Sequence, residues 1–215
     1  KYLLEKDSGK TGIEFLYHGR DLDFTPKAPE PSGMPAKPFF LFVSSIYVYK
    51  GLEYLIEALG AFPRLPPVAI VGKIFEPGYF NAMMRLAEKK GVKDRLIFIG
   101  EVKYRELPSW YAHALGLVFP SWCENCPNIL IEAMTCGCPI VAMNTGPMPE
   151  ICGEAAFYSN PFDGISLGEA MAKCSEPFQN RQAKEKCLQR AKDFTWEEHC
   201  RKLLEFFKNA RARAC

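Results

Sequence analysis

The sequence has no run of eighteen apolar residues, so no membrane-spanning helix of ordinary length is expected. It has no surplus of charge of one sign. The 27 Lys and Arg face 25 Asp and Glu, a net charge of +2, and no nucleic-acid partner is implied. It begins KYLLEKDSGK, which is charged and lacks both a starting Met and the apolar stretch of a secretory signal. The chain is therefore expected to be a fragment or a processed form. There is no internal repeat, and no low-complexity block beyond one Pro-rich stretch. Histidine is scarce, with three in all, but cysteine is not. The nine Cys are spread through expected helices and strands rather than crowded into the loops of a small scaffold. That distribution argues for reduced thiols in a cytoplasmic protein. Cys123 and Cys126 have C-x-x-C spacing, but Cys136 and Cys138 are C-x-C and no His is close in sequence. Packing next to a site is expected of these four rather than zinc binding.

What is present suffices for a large core. The chain has 215 residues, 48% of them apolar. Short apolar runs alternate with stretches of helical periodicity. Strands are expected at Ile13–Tyr17, Phe39–Ser44, Pro67–Val71, Arg95–Ile99, Gly116–Pro120, Ile140–Ala142 and Ala155–Tyr158. Helices are expected from Lys50-Gly51 (with Leu52, Leu55, Ile56 and Leu59 as the apolar face), over Pro77–Lys90 and Leu107–Ala114, and from Ile129 to a stop at Gly137. Further helices are expected at Gly164–Cys174, capped by Asp163, and over about Pro177–Lys192 and Thr195–Asn209. Thr195 and Glu198 form a capping-box pattern. The alternation predicts an α/β fold, a Rossmann-like parallel sheet with helices on both faces. Pro26, Pro29, Pro31, Pro35 and Pro38 mark an extended linker before the first strand of the domain. The tail RARAC is short and basic, and a solvated, frayed end is expected there rather than contact with anionic lipid.

The stretch Phe119–Gly146, FPSWCENCPNILIEAMTCGCPIVAMNTG, organises the rest. It reads as strand end, turn, helix, strand and Gly turn. Glu124 precedes the helix and Glu132 lies within it. Either alone reads equally well as a solvated carboxylate. Their context favours a ligand site, because open α/β sheets bind ligands outside the carboxyl ends of their strands. A helix N-terminus there offers free N–H groups suited to phosphate, and Pro127 falls at or near the first helical position. Lys50, in the turn after the first domain strand, can supply positive charge to a diphosphate. His113 is read as a helix-surface or packing residue, and the Met83–Met84 pair as core.

The order E-N-C-P-N-I-L-I-E-A-M-x-C-G-C-P-I-V-A, followed by N-T-G-P-M-P-E-I, resembles the Glu-x7-Glu region of retaining GT-B glycosyltransferases, the glycosyl transferases group 1 class (family 4-like). The resemblance runs from about Leu16 to Phe207 and identifies the chain with the C-terminal, donor-binding domain, one half of a GT-B fold. It implies residues 1–37 as inter-domain junction and Pro-rich linker, with Y-H-G-x-D-x-D-F-x-P at the junction, and 38–215 as the nucleotide-sugar-binding domain. It implies transfer of a sugar from a UDP- or GDP-linked donor to an acceptor hydroxyl with retention at the anomeric carbon. Glu124 and Lys50 are the implied catalytic residues, Glu124 orienting the sugar and offsetting oxocarbenium charge. Donor-binding residues implied are Ser45, Gly100, Val102, Lys103, Asn125, Pro127, Asn128, Ile129 and Glu132, with Glu132 receiving the ribose hydroxyls. Glu150 matches the Glu of the P-E-I phrase, which shapes the lower pocket; a helix-cap role fits it equally well.

Ser45 stands where the family usually has an Arg. Losing that contact costs roughly 1.5–3 kcal/mol of phosphate binding, and Lys73 is the nearby candidate to replace it. No cofactor and no metal is expected, since protein cations replace the metal in this class and no Asp-x-Asp motif stands in the expected place. An N-terminal acceptor domain is the implied partner, with peripheral membrane contact, if any, made through it. The isolated chain is expected to bind donor and turn over negligibly. Alternative readings are a non-catalytic nucleotide-sugar module of GT-B ancestry, or another GT-B enzyme such as an epimerase. A phosphorylase would need a Lys for pyridoxal phosphate in a recognisable setting, and none is evident.

Overall fold

In a computed structural model that describes residues 16–214, six strands form one sheet in the order β3-β2-β1-β4-β5-β6, and every pairing is parallel. The strands are β1 (Phe40–Val43), β2 (Val68–Val71), β3 (Leu96–Gly100), β4 (Gly116–Phe119), β5 (Ile140–Met143) and β6 (Ala156–Ser159). Among the described residues the α-helices are α1 (Leu52–Ala61), α2 (Pro77–Lys89), α3 (Leu107–His113), α4 (Asn128–Thr135), α5 (Met148–Cys152), α6 (Gly164–Ser175), α7 (Pro177–Arg190) and α8 (Trp196–Ala214).

The four inner strands are buried at every position, which is why they read as continuous apolar runs without alternation. Successive side chains still go to opposite faces. Phe39, Leu41, Leu117 and Ile140 join a core with Tyr111, Leu130, Met134 and Ile151. Phe40, Phe42, Val118 and Val141 join the opposite core with Leu52, Leu55, Leu59, Leu167 and Met171. Cys136 and Cys138 are buried, and burial pushes the Cys136 thiol up to about 12, as expected of an inert packing residue. Cys126 is half-buried against the first core. Cys123 departs from the expectation of packing: it is exposed, because it sits at the tip of the turn between β4 and α4. The described cysteines are all free thiols.

The chain steps outward through β1, β2 and β3, then returns to place β4 beside β1, pairing Phe40 with Gly116 and Leu41 with Leu117. This reversal opens a crevice at the carboxyl ends of β1 and β4. The expected strands and helices of the domain are present, with local differences. The helix after β1 starts at Leu52 rather than at Lys50, because Val48–Lys50 closes a separate 3-10 turn and Gly51 takes a left-handed conformation, φ 70°. Pro127 precedes α4 as its N-cap residue instead of opening it, its ψ of 100° being extended. Asp163 caps α6 as expected, accepting from the Ser166 N–H at 2.9 Å. Thr195 caps α8 in the same way, but only half of the expected box forms: the Glu198 carboxylate turns to Arg201.

The expected strand at Ile13–Tyr17 falls largely outside the described residues. The segment that follows lies against the domain. Arg20 N–H donates to the Phe194 carbonyl, His199 Nδ1 donates to the Tyr17 carbonyl, and Phe24 is buried beside Tyr104 and Tyr111. His113 fixes the Pro-rich part: its Nε2 lies 2.9 Å from the Ala28 carbonyl and its Nδ1 3.2 Å from Lys37 Nζ. That agrees with its reading as a packing residue.

Candidate functional site

Two clusters flank the start of α4, at the crevice between β1 and β4. In the first, Lys50 Nζ lies 2.5 Å from Glu124 Oε1. Both side chains are nearly enclosed, at 11% and 13% exposure. The local backbone explains how residues so distant in sequence meet. After β1 the chain turns through Val48–Lys50 to Gly51, and a Cβ at Gly51 would stand 2.3 Å from the Pro120 carbonyl. Glycine therefore lets the turn after β1 close on the turn after β4. Ser121 Oγ then sits 3.1 Å from the Tyr49 carbonyl and 2.7 Å from Glu124 Oε1, its single proton serving one acceptor at a time. Lys50 Nζ also lies 4.9 Å from the Tyr49 ring centroid and 5.7 Å from that of Phe119, which stabilises the ammonium without consuming its N–H donors. One donor points to Glu124 and two remain for an anion.

Gly51→Ala is expected to destabilise the chain by at least about 1–3 kcal/mol, the strain of a left-handed alanine, with the clash against the Pro120 carbonyl adding to it and displacing Lys50. Denaturation and nucleotide titration of this variant check both effects.

The second cluster surrounds Glu132. Tyr111 donates its hydroxyl to Glu132 Oε2 at 3.0 Å. Burial, the largest influence, raises the Glu132 carboxyl above its ordinary value; the Tyr111 and Tyr104 hydroxyls pull it back, and Asp21 raises it again. Tyr111 is itself raised well above a normal phenol by burial and by Glu132, so it stays a donor at every ordinary pH. Glu132 lines a hollow of about 100 Å³ with Asn128, Asp21, Arg20, Tyr104 and Trp196. The hollow is smaller than a typical small-molecule pocket and fits one ring of a nucleotide rather than the whole. His18 Nδ1 approaches Asn128 Oδ1 at 2.7 Å, tying the junction segment to this wall.

Between the clusters lies the N-terminus of α4, which no side chain caps. Its first N–H groups are open to an anion. Lys50 and Glu124 do not line the hollow at Glu132, so the site is two adjoining subsites rather than one cavity. The other expected residues divide as follows. Asn125 and Asn128 are exposed at the mouth, Pro127 is buried under it, and Ile129 packs into the first core. Gly100 closes β3, with its carbonyl taking the Gly72 N–H at 2.8 Å. Val102 packs beside the first core, and the exposed Lys103 donates its N–H weakly to Glu106, at 3.4 Å. Ser45 is half-buried on the turn after β1, its carbonyl accepting from Ser44 Oγ. Lys73 is exposed on the adjacent turn, which is joined to this one through Ile46 N–H and the Lys73 carbonyl. Glu150 accepts from the Tyr17 hydroxyl, so it anchors the junction and does not cap its helix.

Asp21, Tyr104, Tyr111 and Ser121 complete these clusters, and no role for them was visible in the sequence. The local signs were Asp21 within the junction phrase and Tyr111, which with Ala112 resembles the Y-A of the family's corresponding helix. Among the described residues no group of three His, Cys, Asp or Glu is gathered closely enough to hold a metal ion, and no helix is long and apolar enough to cross a membrane.

Comparison with known proteins bears on the family and the fold. The family model described as glycosyl transferases group 1 matches residues 25–194. The O-antigen chain mannosyltransferase B of Escherichia coli is 25% identical over 176 residues, covering 79% of this chain and 45% of that protein. The D-inositol 3-phosphate glycosyltransferase of Xylanimonas cellulosilytica is 31% identical over 147 residues, covering 62% of this chain and 35% of its own length. The chain thus spans about half, or less, of these relatives. Among solved structures, HepE of Anabaena in complex with UDP superposes with a TM-score of 0.84 at 20% identity, over 97% of this chain and 61% of that one. Sucrose-phosphate synthase from Thermosynechococcus elongatus gives 0.82 at 23% identity, over 99% and 56%. The Rossmann-like sheet is that of GT-B glycosyltransferases, and the chain belongs to the glycosyl transferases group 1 family.

Proposed function

We propose that this chain is the donor-binding half of a glycosyltransferase that moves a sugar from a nucleoside diphosphate to an acceptor hydroxyl with retention of configuration. The observation that carries the reading is the juxtaposition, at the β1/β4 crevice, of the Lys50–Glu124 pair, the uncapped start of α4 and the Glu132 hollow. Each part meets one need of the reaction. Glu132 accepts the two ribose hydroxyls. Lys50 and the N–H groups at Asn128 and Ile129 take the diphosphate, whose negative charge grows as it leaves. Glu124 accepts hydroxyls of the sugar and offsets positive charge on the ring as the anomeric bond breaks. Gly100, Val102 and Lys103 present the backbone edge for the base, and Ser45, Asn125 and Pro127 complete the wall. With these charges supplied by protein groups, no metal is required in this proposal.

Residues 1–37 are then the junction and 38–215 the donor domain, and the acceptor half is a separate N-terminal domain. The cytoplasmic reading rests on the buried, unpaired thiols. HepE was solved with UDP and with UDP-glucose, which supports a nucleotide-sugar ligand for this shared fold.

A thermal-shift panel of UDP- and GDP-sugars tests the proposal. A bound donor at 100 times its Kd stabilises by about 2.7 kcal/mol, or roughly 5–11 °C in a domain of this size. The chain alone is expected to show that shift with negligible turnover. A flat response to every nucleotide sugar overturns donor binding and favours the second reading in its other form, a GT-B relic that scaffolds a partner, which the serine at position 45 supports.

A further inference from the structure

Ser121 is enclosed, at 1% exposure, in the turn between β4 and α4. A buried hydroxyl costs free energy unless it is hydrogen-bonded, so its partners indicate its role. Two acceptors are within reach of Ser121 Oγ, the Tyr49 carbonyl at 3.1 Å and Glu124 Oε1 at 2.7 Å. The Tyr49 carbonyl already takes the Trp122 N–H, at 3.1 Å, and is satisfied without the serine. The bond to Glu124 is the shorter of the two, and it is charge-assisted. The proton therefore goes to Glu124.

Lys50 Nζ reaches the same oxygen, Oε1, at 2.5 Å. Both protein donors thus fall on one oxygen of the carboxylate. Among the described residues Oε2 receives no hydrogen bond, so its acceptor sites are left for a ligand.

We propose that Ser121 is a positioning residue: its hydroxyl holds Glu124 by Oε1 so that Oε2 faces the sugar of the donor, and keeps it there while the diphosphate competes for Lys50. The proposal rests on the donor-binding reading, which sets the sugar beside Glu124.

Charge is the reason a second holder is needed. The diphosphate and Glu124 are both anionic, and Lys50 is shared between them. As the diphosphate draws on the ammonium, the ion pair weakens and like-charge repulsion drives the carboxylate away. A neutral hydroxyl holds a carboxylate without competing for the diphosphate. Ser121 is also enclosed, which keeps the ligand from taking its proton. Its backbone is fixed on both sides against the turn after β1. Pro120 abuts Gly51 through its carbonyl, and Trp122 N–H is bonded to Tyr49. A site group held from so fixed a start is held closely in place.

Calorimetry with UDP, GDP, UDP-glucose, UDP-N-acetylglucosamine and GDP-mannose tests the proposal on the wild type, Ser121→Ala and Ser121→Cys under reducing conditions. Cysteine preserves much of the packing but has only a weak donor, so it separates the hydrogen bond from the volume. For the nucleotide sugar that binds the wild type tightest, Kd is expected to rise at least about fivefold in both variants, while Kd for its bare diphosphate stays within about twofold. A role in packing alone would weaken both ligands together and would spare the cysteine variant. Should Ser121→Ala not fold, as thermal melting would show, Ser121→Cys carries the test. An unchanged ratio of the two Kd values in the variants overturns the positioning role. So does an equal loss of the bare diphosphate, a wild-type ratio in Ser121→Cys, or a wild type that binds diphosphates and none of the three sugars. Each of these leaves diphosphate binding standing. A wild type that binds no nucleotide at all defeats the donor-site reading, and the positioning role falls with it.

Discussion

Replacing Lys50 with Ala is expected to destabilise the chain by about 2–3 kcal/mol, less than the 3–5 kcal/mol of a fully enclosed pair. In a domain of this size that lowers the melting temperature by roughly 4–12 °C. It is also expected to remove measurable binding of nucleoside diphosphates. The two losses have different causes. The stability loss comes from Glu124, left nearly enclosed with Ser121 Oγ as its remaining partner. The binding loss comes from the missing cation at the start of α4. The double variant Lys50→Ala/Glu124→Gln separates them, because its amide carries no charge to strand. Most of the stability should return, and diphosphate binding should not. Thermal denaturation and calorimetry on the three proteins make the comparison. Recovery of nucleotide binding in the double variant would show that Lys50 holds Glu124 and nothing more.

Glu132→Gln is expected to move stability and binding in opposite directions. Burial raises the Glu132 carboxyl, so the folded chain holds that proton more tightly than the unfolded chain does. The resulting stabilisation is complete below the unfolded carboxylate value of about 4.3, and is lost as pH rises through the raised folded value. At pH 7 the carboxylate is therefore a burden on the empty protein, and the amide, still able to accept from Tyr111, relieves it. The variant should melt above the wild type at pH 7 and with it at pH 4. Nucleotide binding should weaken by about 1.5–3 kcal/mol, or roughly 10–150-fold, as charge-assisted bonds to the ribose become neutral ones. Lower stability at pH 7 with unchanged affinity would assign Glu132 to the core instead. A stability gain exchanged for function is the pattern expected of a site residue.

The fold was legible in the sequence because its information is local. Buried parallel strands such as Phe40–Val43 and Ile140–Met143 declare themselves as short apolar runs. Asp163 before Gly164–Ser175 is a cap that needs no tertiary context. The site was legible only in part. Lys50 and Glu124 stood out singly, but their 2.5 Å contact depends on the sheet order, which brings β1 next to β4. Tyr111 carries no mark of its bond to Glu132, since nothing in a helix of core residues says which tyrosine faces a carboxylate. Asp21 and Tyr104 meet at the Glu132 hollow only because the junction segment folds back on the domain, and an expected extended linker gives no warning of that.

The central claim, that a nucleoside diphosphate is held around the start of α4, is tested most directly by mapping UDP and GDP onto the backbone N–H signals of the labelled protein. The account predicts the largest shifts at Gly51, Val102, Asn128 and Ile129. Shifts confined instead to the apolar groove between the C-terminal ends of α1 and α6, lined by Phe62, Leu65 and Ala172, would contradict it.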